Sequence, residues 1–456
     1  MRGGSVPGGA DSPARATAPA GIARLSGLNL AARMTSGAAV LGLAILSTNV
    51  LDTHGRGIYA ILSTWAGIAM TIITGGTAVL AADLIHGRQD APALHGASCV
   101  IALQAALVLF PLAAAISLIA SGVTLAALLC TAAVAVLITY TNFEMAIAQA
   151  RGSVLRVSLA DIGMAVFPLI VTAGVVVLVS NPTVTTLMAA WAVGAILTAA
   201  LQLTDALATT GVVLKRAWRE AVSIARRSLG VSLANGTALL TSRIDVLVVA
   251  VVLSASQAGI YSIPVALATS LLLLSRSVLT ATYRPIMTAP MSEVGERLSS
   301  ALRHSVIVVM AGGILSVPVV AVTAGFVFGD AYSDIWRPYA ILVPASACLC
   351  VAEMLRHFLI TRLERQREIL LTSVAMLVAN GVLAVAGAAL FGLLGAAAST
   401  TITYAGAAAA LVAFCARSLS MPMLVLAVPR PSDLAPYWRA VRVLATRARS
   451  MGSVAR

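Results

Sequence analysis

"VLDTHGRGIYAI" (residues 50–61) and "VLSASQAGIYSI" (residues 252–263) are the same dozen positions written twice, 202 residues apart, with six identities and no gap. Each copy sits between two long apolar runs, 25–50 and 59–83 for the first, 229–253 and 258–283 for the second. Crossing the hydrocarbon takes about 20 apolar residues in a helix. Each copy therefore predicts the turn of a hairpin between two membrane spans.

The whole chain supports a membrane reading. Of its 456 residues, 59% are hydrophobic and 10% are charged, where soluble domains average about 45–50% and about 25%. Eight further runs meet the length requirement: 96–121, 123–143, 158–180, 183–204, 304–328, 338–360, 369–390 and 394–416. That makes twelve. Six spans separate the two copies, and an even number preserves orientation, so the halves are parallel repeats. The predicted fold is an all-α polytopic membrane protein. Its twelve transmembrane helices form two six-helix bundles related by a pseudo-two-fold axis along the membrane normal.

Lysine and arginine gather on one set of loops and on both tails, while the opposite loops hold only Arg56 and Arg337. The bias places both termini in the cytoplasm of a multi-pass cytoplasmic-membrane protein. The layout that follows is a disordered cytoplasmic tail (1–24), a first bundle (25–204), a basic linker (205–228), a second bundle (229–416) and a basic tail (417–456). Within that tail, "PYWRAVRVLATRARS" (436–450) predicts an amphipathic helix on anionic lipids of the inner leaflet. The net charge is +13 and 29 of the 30 basic residues are arginine. Because these residues flank apolar spans, the excess reads as topology, and nucleic acid is not an expected partner. All five cysteines lie in apolar segments without metal or redox spacing, and the five histidines, at or near loops and span ends, form no ligand cluster.

Several short motifs carry a resemblance over residues 25–416. "GRGIYA" (55–60) and "RIDVLVVAVVLSASQAGIYS" (243–262) are followed or interleaved by "AQAR" (148–151), Pro285, "VFGDAY" (327–332), "AIL" (340–342), Asn380 and "FGLLGAA" (391–397). In order and topology the chain resembles the lipid-linked oligosaccharide flippases of the multidrug/oligosaccharidyl-lipid/polysaccharide (MOP) exporter superfamily, with their MATE-like arrangement of helices. The resemblance implies a transporter rather than an enzyme, one that carries a polyprenyl-diphosphate-linked glycan to the outer leaflet by alternating access for surface or extracellular polysaccharide. It also implies association with polysaccharide biosynthesis enzymes.

Charges within spans mark the candidate site, because a mid-bilayer arginine costs about 2.5–3.5 kcal/mol on insertion scales. Arg33 in span one and Arg276 in span eight lie at similar depth in the two halves. A guanidinium suits phosphate oxygens, being permanently charged and bidentate, so both are candidate diphosphate ligands. Arg243 and Asp245 lie deeper in span seven and complete the candidate set; on a regular helix, two residues apart, they point in different directions. Glu353 and Arg356 read as a local pair in span ten. Asp83, Glu144, Asp161 and Asp205 fall at the inner ends of spans, where hydration is easy. Prolines 111, 168, 264, 318 and 344 interrupt spans and are candidate hinges.

No P-loop occurs, so ATP is not an expected cofactor. Energy would come from sodium or proton coupling at Asp245, or from the membrane potential acting on the diphosphate. One rival is a drug or cation antiporter of the same superfamily, which predicts an acidic cavity. A major-facilitator transporter is disfavoured because "ADLIHGRQD" (82–90) misplaces Asp83 and Gly87 for the signature of that family and lacks the basic residue after the aspartate. A membrane glycan ligase or polymerase would need a sizeable acidic outer loop, and only "GDAYSDIWRP" (329–338), with Asp330 and Asp334, carries two carboxylates.

Overall fold

The computed structural model describes residues 19–85, 90–118, 122–215, 217–275, 282, 286, 289–363, 365–423, 428, 430 and 433. Among them all extended regular structure is helical. The helices are α1 (Pro19–Val50), α2 (Thr53–Thr74), α3 (Thr77–Ile85), α4 (Ala91–Ser117), α5 (Leu125–Ala150), α6 (Val154–Leu178) and α7 (Val184–Thr209) in the first half. The second half holds α8 (Ala217–Thr241), α9 (Ile244–Val252), α10 (Ala255–Ser270), α11 (Met291–Phe328), a 3-10 turn (Asp330–Ile335), α12 (Trp336–Leu363) and α13 (Gln366–Ser418). Arg276, Pro285 and the segment 436–450 lie outside the described residues.

Among the described residues ten segments are long and apolar enough to cross a membrane, counting α2 with α3 as one, and the bent pair α8–α9 adds an eleventh. The twelfth is hidden in α13. At 53 residues a straight α13 would run roughly 80 Å, far beyond about 30 Å of hydrocarbon. Its continuity breaks at Gly392, which adopts φ 60° and ψ −140°, a conformation open essentially to glycine alone. Ser399 then reaches back to the carbonyl of Leu383 at 2.6 Å, and the backbones of Gly387 and Gly395 press together. α13 is a hairpin of two spans, turning inside "FGLLGAA".

The second break is the one the sequence did not announce. α8 and α9 meet at 48° across Ser242 and Arg243, where there is no proline or glycine. The five candidate hinge prolines instead lie inside continuous helices. Asn380, from α13, donates its side-chain amide to the freed carbonyl of Thr241 at 2.8 Å. A broken helix at membrane depth is tolerated where other groups satisfy the released backbone.

The duplicated dozen proves to be one contact made twice. α2 begins at Asp52, whose carboxylate accepts the Gly55 N–H at 2.8 Å; α10 begins at Ser254, whose hydroxyl accepts the Gln257 N–H at 3.1 Å. These are equivalent positions of the repeat, each acting as the N-cap. The two helix starts then pack on each other. A Cβ on Gly57 would meet the Ala255 carbonyl, and one on Gly259 would meet the Thr53 carbonyl. Shifting by 202 residues converts the first contact into the second. The starts of α2 and α10 meet, and Thr71 and Thr269 near their other ends line one cavity, so the two helices run the same way, the repeats are parallel and the axis between them follows the helices. The side of the molecule where these starts meet is here termed the hairpin face, and the opposite side, carrying residues 210–215, the linker face.

Toward the linker face α2 and α3 pack against α8 instead. Gly75 lies against Ser232 and Gly236 against Ile72, and Arg227 holds Asp83 through two hydrogen bonds of 2.9 and 2.5 Å. Asp83 is only 1% exposed. Arg56 is likewise buried: it lies in the first turn of α2, not in a free loop, with its guanidinium 5.4 Å from the Tyr59 ring.

Candidate functional site

A cavity of about 370 Å³ opens where α8 breaks into α9, with walls from α10, α12 and α13 and with Thr71 of α2 reaching it from the first half. The sequence places Arg243 and Asp245 there. Arg243 is the cap residue of α9, with φ −131° and ψ −6°, and Asp245 lies in the first turn beyond it. The expectation that they diverge assumed an unbroken helix. Because the helix breaks between Thr241 and Ile244, 100° per residue does not apply across it, and both side chains line the same cavity.

Asp245 is 1% exposed and its carboxylate is held from three elements. Oδ1 accepts the Val246 N–H at 2.8 Å, while Oδ2 accepts the hydroxyls of Tyr261 and Thr400, each at 3.1 Å. It also sits at the N-terminus of α9, where the helix dipole favours a negative charge. Tyr261 is the tyrosine of the second repeat copy. Its counterpart Tyr59 does other work, packing against Trp191 with ring centroids 6.3 Å apart.

Glu353 and Arg356 of α12 face the same cavity, together with Tyr404. Their i,i+3 spacing predicts a local pair, yet among the described residues no ion pair joins Glu353 to Arg356 or Arg243 to Asp245. Two guanidiniums and two carboxylates thus line one cavity with no direct ion pair between them among the described residues. Such an arrangement holds donors and acceptors ready for a polar cargo, in a setting where weak screening strengthens each charge.

Arg33 is exposed on α1 and is not among the residues lining this cavity. Arg276 lies outside the described residues. A further correction concerns the inner-end acids. Like Asp83, Glu144 is buried rather than hydrated, at 6% exposure. It bonds His95 Nδ1 at 2.6 Å and also the hydroxyl of Ser98. His95 is 5% exposed, so this histidine belongs to a bundle interior although the sequence placed it near a span end. Asp205 keeps its hydration, pairing with Arg156 at 3.3 Å on a half-exposed surface.

The chain matches no protein-family model and no curated protein sequence. Its fold, however, is that of solved membrane transporters. A MOP superfamily transporter from Pyrococcus furiosus, described as having a binding pocket of reverse polarity that suggests a different function, superposes with a TM-score of 0.58 at 12% identity, covering 88% of this chain and 95% of that one. A multidrug resistance MATE family transporter of the MOP superfamily in its outward-facing conformation gives 0.58 at 16% identity over the same shares. An inward-facing conformation gives 0.59 at 14% identity, covering 87% and 94%. The similarity establishes an all-helical, multi-pass fold of the MATE/MOP type.

Proposed function

We propose that the protein is an alternating-access transporter that flips a polyprenyl-diphosphate-linked glycan between leaflets for cell-surface or extracellular polysaccharide, and that it is not an enzyme. The observation that carries the reading is the pair of guanidiniums, Arg243 and Arg356, lining the cavity at the helix break with no ion pair to either among the described residues. A diphosphate offers the charge and the oxygen geometry that such groups take up. Arg33 and Arg276 are proposed as additional phosphate ligands at the cytoplasmic entrance. On this reading the linker face is cytoplasmic, the membrane is the cytoplasmic membrane, and polysaccharide biosynthesis enzymes supply and consume the cargo. No cofactor is required: a doubly charged diphosphate moving outward gains about 2.3 kcal/mol per charge per 100 mV. Asp245 is the proposed alternative point of sodium or proton coupling.

A second reading has its own support. Asp245 and Glu353 supply two carboxylates to the same cavity, which suits an antiporter of organic cations. Proteoliposomes separate the two. In the flippase reading a fluorescent polyprenyl-diphosphate disaccharide changes leaflet, and Arg243→Ala and Arg356→Ala each slow it at least tenfold. Export of a cationic dye, unaffected by those arginines and abolished by Asp245→Asn, would replace it with the antiporter.

A further inference from the structure

A second cavity, of about 380 Å³, lies inside the first bundle between α4, α5, α6 and α7, away from the helix break. Its two ends differ. Toward the linker face it is lined by His95, Glu144, Arg151, Arg156, Gln202 and Asp205; the remaining wall is mainly hydrocarbon, reaching Val166 and Phe167 on α6.

The polar end is only partly satisfied from within. Glu144 is occupied by His95 and Ser98, and Asp205 pairs with Arg156. Three groups are left over. Among the described residues His95 Nε2 is buried without a hydrogen-bond partner, as are both polar atoms of the Gln202 amide. Arg151, exposed at the C-cap of α5, makes no ion pair among the described residues. Buried polar groups are normally hydrogen-bonded, so the His95 and Gln202 atoms mark a missing partner, and Arg151 stands beside them as an accessible cation.

The apolar end argues against water as the whole occupant, since a hydrocarbon-lined space stays dry. The length is also informative. From Arg156 to Phe167 along α6 is roughly 16 Å, close to half of the ~30 Å hydrocarbon layer. With its polar end set at headgroup depth, a cavity of this length reaches mid-membrane, polar where a phosphate would lie and greasy where an acyl chain would lie. Leu159 and Leu201, both lining residues, are exposed, so the cavity is open and not sealed.

We propose that this cavity binds one acidic glycerophospholipid from the leaflet on the linker face, its phosphate taken by Arg151 and the Gln202 amide and an acyl chain lying along α6. The site is independent of the transport reading and needs no glycan cargo. It is also separate from the contact expected between the basic tail and anionic lipids.

The test uses the full chain reconstituted in phosphatidylcholine vesicles containing 10 mol% phosphatidylglycerol, extracted gently and weighed by native mass spectrometry. Wild type is expected to retain one phosphatidylglycerol. Arg151→Ala, which removes the phosphate ligand, and Leu159→Trp, which fills the cavity, are each expected to lower the retained fraction at least fivefold, with Arg151→Lys intermediate. Val319→Trp, on an exposed position of α11 in the other half, should leave retention unchanged. Three results overturn the proposal: no lipid on the wild type, equal retention in Arg151→Ala, or an equal loss in Val319→Trp. Adding polyprenyl phosphate to the vesicles provides the last arm; its preferential retention over phosphatidylglycerol would overturn the assignment to a glycerophospholipid.

Discussion

Replacing Gly57 by alanine strains a single contact on which the parallel-repeat architecture turns. The new methyl group would fall on the Ala255 carbonyl, and the equivalent methyl at Gly259 on the Thr53 carbonyl and the backbone of Gly57. Both obstacles are main chain, so rotamer changes cannot relieve them and the starts of α2 and α10 must part. Overpacking of this kind costs about 1–3 kcal/mol, which shifts a two-state equilibrium toward separation about 5–150-fold. Since the two substitutions strain the same contact, their effects will not add; once the helices have parted for one methyl, the second has room. Spin labels at Asn181→Cys and Ser333→Cys, exposed positions on the hairpin face of the two halves, read the separation in a background lacking the native cysteines. Gly57→Ala and Gly259→Ala should each populate a longer distance, to a similar extent, and the double variant should add little. Distances unchanged in both single variants, or a fully additive double, would refute the paired contact.

Asn380→Leu keeps the side-chain volume but leaves the Thr241 carbonyl unbonded at the helix break, and should lower stability by about 1–3 kcal/mol, read as a fall in the unfolding midpoint in detergent. Gly392→Ala forces a side chain into a glycine-only conformation at the hairpin of α13, costing about 1–3 kcal/mol; loss of monodisperse protein on size exclusion is the expected result, while Gly406→Ala, where a Cβ meets open space, should be silent. Arg227→Ala removes the two hydrogen bonds of its guanidinium to the buried carboxylate of Asp83, so it should destabilise more than Asp83→Asn, and the double variant Asp83→Asn with Arg227→Ala should recover part of the loss; thermal unfolding of the three checks the order.

Much of the fold was legible because membrane architecture is written in one dimension. Run length sets a crossing, the parity of crossings sets orientation, and a duplicated cap with its Gly-x-Tyr identifies two equivalent hairpins. Each of these needs only residues adjacent in the chain. The candidate site was half legible: Arg243 and Asp245 stand out as ions in an apolar run, whereas Glu353 and Arg356 resemble an ordinary local pair until α12 is seen to face the helix break.

By itself, then, the sequence determined the membrane class, the twelve crossings and the parallel sense of the halves, since these follow from local hydrophobicity and count. The tertiary structure alone decided where span seven breaks, because the group that accommodates the break is Asn380, 139 residues beyond Thr241. It alone decided that Asp83, Glu144 and His95 are interior, since burial depends on partners such as Arg227, 144 residues from Asp83. Whether a charge at the end of a span meets water or a counter-ion is a property of neighbouring helices, and no single span records which helix will lie beside it.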